Sequence, residues 1–143
     1  MAYSTQSDLL GEISEAELAQ LTSDADGVID ALVVAGAIND ADAEIDGYVA
    51  VRYAVPLSPV PALIKKFSTK IALYNLFSRR SNRLGGVDET VAKNRDNAVA
   101  ALKEISRGTV TLGVDPAPEQ NTAGGFKSSA DERDFTKDNL KGF

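Results

Sequence analysis

The sequence predicts an all-α protein: a small helical bundle of three to five helices, with a short β-prone segment and an extended C-terminal tail. Three observations predict it. Apolar residues recur at helical spacing through three long windows, prolines and glycines separate those windows, and short polar residues stand where helices would start. With 143 residues, 43% of them apolar, the chain suits one compact domain around one core.

The elements follow in order. Ser14-Glu15-Ala16-Glu17 fits a capping box, in which the Ser14 hydroxyl and the Glu17 carboxylate satisfy free backbone amides, so a short helix through Leu21 is expected. From about Asp30, Ile38, Ala41, Ile45, Tyr48, Val49 and Arg52 fall on one stripe with a polar tip. That helix should stop before Pro56, because a proline pushes its predecessor out of the α region. Pro59 and Pro61 open the next helix, which runs to about Ser81. Ile64, Phe67, Ile71 and Tyr74 line one of its faces while Leu73, Leu76 and Phe77 point elsewhere, so it is expected at the centre of the bundle. After Gly85-Gly86, Asp88 is an N-cap for a helix carrying Val91, Ala98, Leu102 and Ile105, and Arg107-Gly108 reads as its C-terminal cap.

Beyond Gly108 the character changes. TVTLGV is β-prone and DPAPEQNTAGG is a linker composition. The divisions expected are a helical domain over 1–113, a linker over 114–125 and a C-terminal tail over 126–143. The tail is polar, and disorder in isolation is the expectation for it. It nonetheless carries Phe126, Phe135, Leu140 and Phe143 with Arg133 and Lys141 between them, a pattern of anchors for a partner.

Charge is distributed unevenly. Residues 1–60 hold eleven acids and one base, residues 61–107 ten bases and four acids, and the whole chain is at −6. The two halves should attract each other, either within one molecule or between stacked subunits. On the second reading, Asp40, Asp42, Glu44 and Asp46 of one subunit face Lys65, Lys66, Arg79, Arg80 and Arg83 of the next. As like-charged pairs four residues apart, Asp40 with Glu44 and Asp42 with Asp46 are unfavourable in a lone helix, so these acids should face water, cations of the fold or a neighbour.

Composition removes whole classes of chemistry. There is no histidine and no cysteine, which excludes disulfides, thiol catalysis and His-based acid–base steps. The low pI disfavours a protein that grips phosphates. Apolar runs are too short to cross a bilayer, and MAYSTQSDLL lacks the regions of a signal peptide, so a cytosolic or virion setting is expected. Asp24, Asp26 and Asp30 around Gly27 imitate a calcium loop, with Gly27 at the sixth position. The imitation is incomplete, because Thr22 then stands first and Val33 twelfth, where the closing Glu belongs. These acids fit better at the positive end of a helix dipole. No cofactor is expected.

AINDADAEIDGYVAVRYAVPL, VPALIKKFSTKIALYNLF, ALKEISRGTVTLGV and the terminal RDFTKDNLKGF together resemble the Mu-like bacteriophage protein family encoded among head and head-tail joining genes. The chain looks like a member of the wider group of head-tail adaptor, or connector, proteins. That resemblance implies a ring, of twelve subunits, beneath the portal protein in the virion neck. It joins the DNA-filled head to a stopper or tail-completion protein and lets double-stranded DNA pass without reading its sequence. It carries over no catalytic motif. Two other classes stand beside it: a small cellular helical adaptor binding through its tail, and an enzyme holding a divalent metal on Asp24, Asp26 and Asp30.

Overall fold

The computed structural model describes residues 1–24, 27–84 and 86–118, with backbone only over 81–84. Among the described residues five helices fold around one core, α1 Gln6–Leu10, α2 Glu15–Thr22, α3 Ala31–Val49, α4 Ala62–Leu84 and α5 Glu89–Arg107. No strand occurs among the described residues. TVTLGV runs instead as turns against the bundle: it has no partner strand, and Leu112 and Val114 bury their side chains on the helical core.

Local chemistry sets the helix ends. The Ser14 hydroxyl accepts from the Glu17 amide at 3.2 Å, Asp30 accepts from the Leu32 and Val33 amides, and Asp88 accepts from Thr90 at 2.7 Å. At the start of α1, which the sequence reading missed, the Asp8 carboxylate accepts from both the Thr5 amide and the Thr5 hydroxyl. α3 ends at Val49, several residues ahead of Pro56, and the chain turns so that Tyr53 and Leu57 re-enter the core.

α4 is the central element and packs on each of the other four helices. Ile64, Ile71, Ala72 and Leu76 along it are fully or almost fully buried, as are Ile45 and Val49 of α3 and Leu102 and Ile105 of α5. Arg95 ties three helices together. From α5 it pairs with Glu44 of α3 at 2.8 Å while its guanidinium lies 5.1 Å over the Tyr74 ring of α4.

The C-terminal end of α5 closes on Gly108, whose φ of 82° lets the Thr109 amide return to the Glu104 carbonyl at 3.0 Å. The space a side chain would need there is taken, since a Cβ on Gly108 would lie 1.4 Å from an Arg52 guanidinium nitrogen. Gly108→Ala is therefore expected to cost about 1 to 2 kcal/mol for the left-handed backbone alone, and more as Arg52 is displaced. Urea unfolding measures it. A smaller loss than that of an alanine at an exposed helix position would mean that the turn relaxes freely.

Candidate functional site

The two described acids of the calcium-like loop, Asp24 and Asp30, have separate partners. Asp30 spends its carboxylate on the α3 cap, and Asp24 pairs with Arg80 at 2.9 Å and lies 3.8 Å from Arg79. Asp26 lies outside the described residues. No group of three metal-ligating side chains occurs among the described residues.

The most elaborate polar cluster holds the N-terminal arm inside the fold. Tyr3 is buried, its amide donates to Asp42 at 2.8 Å, and its hydroxyl donates to Asp46 while accepting from the Leu57 amide at 3.0 Å. Ser68 of α4 donates to the other Asp42 oxygen at 2.6 Å, so its only proton is used and the Ser4 hydroxyl, 2.7 Å away, must be the donor to Ser68. Burial, reinforced by Asp46, pushes the Tyr3 phenol up to about 12, so it stays protonated and serves as a fixed donor. Sequence reasoning missed this cluster. Its signal was register: Asp42 stands four residues after Ile38 and three before Ile45, on the apolar stripe itself.

Asp42 thus corrects the expectation of an acid facing water or a neighbouring subunit, for it is 7% exposed and both its oxygens are engaged internally. Burial pushes its carboxyl above the ordinary value, with the bonds from Ser68 and the Tyr3 amide opposing the shift. The folded chain then holds this proton more tightly than the unfolded chain. The contribution of Asp42 to stability accordingly rises as pH falls through the folded value and is lost as pH climbs back. Asp8 has the opposite sign: its bond to Lys65 lowers its pKa, and that stability is lost on acidification. Asp42→Asn is expected to keep the fold, since its amide can donate to Ser68 while its oxygen accepts from Tyr3. It should also remove the Asp42 component of the pH dependence, which lies above the ordinary carboxylate value because burial raises it. Urea titrations of both proteins between pH 4 and 7 test this. An unchanged difference between the two across that range would assign the pH dependence to another group.

The other charges expected at a lateral interface divide between internal and exposed roles. Attraction between the halves is realised within the subunit through Asp8–Lys65 at 2.9 Å, Glu12–Lys70 at 2.7 Å, Asp24–Arg80 and Glu44–Arg95. Arg80 is a second correction: it is buried at 7% and also donates to the Ser23 carbonyl, so it does not present its charge on the surface. Asp46 is half-buried under Tyr3. Asp40, Lys65, Lys66 and Arg79 are exposed. The side chain of Arg83 lies outside the described residues, as do Phe126, Arg133, Phe135, Leu140, Lys141 and Phe143.

Grooves mark the surface among the described residues. One lies between α2 and α5 across α4. Ile13, Leu73, Phe77 and Val91 floor it, Glu12, Glu17, Lys70 and Asp88 rim it, and its volume is about 420 Å³. It continues over about 400 Å³ past Gln20, Leu21 and Val87. The second, about 960 Å³, runs between residues 50–55 and Pro116–Pro118 beside Arg52. Val51 projects there at 71% exposure, and the Ala117 amide bonds to the Arg52 carbonyl at 2.9 Å. Both grooves combine apolar side chains with polar and charged ones.

A family model described as "Bacteriophage Mu, Gp36" matches residues 3–130, from the buried Tyr3 through all five helices. The chain belongs to the bacteriophage Mu Gp36 family. Gene product J of Escherichia phage Mu is 34% identical to it over 125 residues, covering 86% of this chain and 82% of that protein. The Mu-like prophage FluMu protein gp36 of Haemophilus influenzae is 28% identical over 86 residues, 60% of this chain and 57% of that protein. The resemblance to Mu-like phage proteins seen in the sequence is thereby confirmed. Within the Gp36 match fall the Tyr3–Asp42–Ser68 cluster and both grooves. Arg133, Phe135, Leu140, Lys141 and Phe143 lie beyond its end.

Proposed function

We propose that this Gp36-family protein is a structural component of the virion neck, a head-tail adaptor without catalytic activity. In this reading twelve copies form a ring below the portal protein, receive the stopper or tail-completion protein on the other side, and let double-stranded DNA through. The observation that carries the reading is the match of the whole helical domain to a phage Mu protein family. Physical features support it. The fold closes its own core and uses much of its charge in internal pairs, leaving Asp40 and Lys66 exposed for lateral contacts. Leu32 at 84% and Val51 at 71% exposure add apolar contact points along the same subunit. A net charge of −6 suits a conduit that must not hold its cargo.

Mixing the purified protein with its portal protein, followed by size-exclusion chromatography with light scattering, tests the proposal. The expected result is a co-eluting complex with one adaptor per portal subunit, unaffected by added DNA. A portal that takes up none of this protein at micromolar concentration of both would sink the adaptor reading.

A further inference from the structure

The groove between α2 and α5 has a floor and a rim of different chemistry. Its floor is apolar, with Leu73 and Phe77 one helical turn apart on α4 facing Val91 of α5. Its rim sets three carboxylates, Glu12, Glu17 and Asp88, against the single cation Lys70, which is already held by Glu12 at 2.7 Å. Glu17 has no side-chain partner among the described residues. An occupant must therefore bring bulky apolar side chains together with positive charge.

The chain itself contains such a segment. Residues 135–143, FTKDNLKGF, carry Phe135, Leu140 and Phe143 with Lys137 and Lys141 against one acid, Asp138. We infer that this C-terminal segment binds the α2–α5 groove, its apolar side chains on Phe77 and its neighbours and its lysines on Glu17 and the rim. Reach permits it. The described chain ends at Pro118, and the residues from there to Phe135 extend over roughly 55 to 60 Å. α5, which leads from the groove back toward that end of the bundle, is only about 28 Å long for its 19 residues. The segment can thus reach the groove of its own subunit or of an adjacent one. The second groove is a poorer match because Arg52 on its wall repels the two lysines. The inference goes beyond the adaptor reading and is tested on the free protein, so its failure leaves the portal experiment standing.

Because the chain has no cysteine, engineered pairs report proximity without background. Gln20→Cys with Thr136→Cys is compared with Val51→Cys and Thr136→Cys under mild oxidation of the full-length protein, which leaves Glu17 in place. Thr90→Cys, exposed on the same groove, provides a second position should Gln20→Cys fold poorly. The groove pair is expected to form its disulfide on the order of tenfold faster than the Val51 pair. The advantage should disappear when Phe135 and Leu140 are both replaced by Ser, and should shrink in high salt. A bond within one chain or between two copies equally supports the assignment. Equal rates at the two sites, a faster reaction at Val51, or a groove rate indifferent to loss of Phe135 and Leu140 would overturn it.

Discussion

Ile71→Ala is expected to lower the stability of the domain by roughly 2 to 5 kcal/mol, a large share of the 5 to 15 kcal/mol typical of a domain. Ile71 is fully buried in the middle of α4, the helix on which all the others pack. Removing its outer carbons loses their transfer free energy and leaves a cavity that four surrounding helices cannot close together. The melting temperature should fall by roughly 5 to 20 °C. Phe67→Ala, at 8% exposure on the same helix, belongs to the same class. Thermal and urea unfolding check both. A variant that keeps its melting temperature and loses only assembly would place that face of α4 at a subunit interface.

Removing residues 126–143 is expected to have the largest effect on function and little on the fold. The five helices and the buried cluster lie wholly within residues 3–107, so a chain ending at Gly125 should melt close to the full-length protein. Each buried Phe contributes on the order of 1.5 to 3 kcal/mol, so Phe126, Phe135, Leu140 and Phe143 together can offset the entropy of ordering the segment against a partner. Arg133, Lys137 and Lys141, alternating with acids, would set register more than strength. In a phage carrying the truncation, filled or leaking heads should accumulate beside free tails. Normal virion yield would refute the role of the tail.

What the sequence displayed and what it concealed divide along contact distance. The caps at Ser14, Asp30, Asp88 and Gly108 were legible because each is decided by partners within a few residues. The central position of α4 was legible from its width of apolar surface. α1 was not read, for five residues carry too little periodicity, although Thr5 and Asp8 had the spacing of a cap. The burial of Tyr3 and Asp42 depends on residues 26 or more positions apart, and no local pattern announces that Tyr3 will enter the core. Charge bias predicted that the halves attract; which acid meets which base was fixed by helix packing, which sent Arg80 inward and left Lys66 outside.

The buried N-terminal arm also has a consequence for how the molecule is made. Ser4 finds its partner on Ser68, 64 residues further along the chain, and Tyr3 closes on the Leu57 amide. A ribosome adding about 5 to 20 residues per second needs roughly 3 to 13 s to supply that stretch, and longer before it clears the exit tunnel. During that interval Tyr3 and Ser4 have no site to occupy. The arm that carries them therefore cannot lock until α4 has been translated, however early it leaves the ribosome.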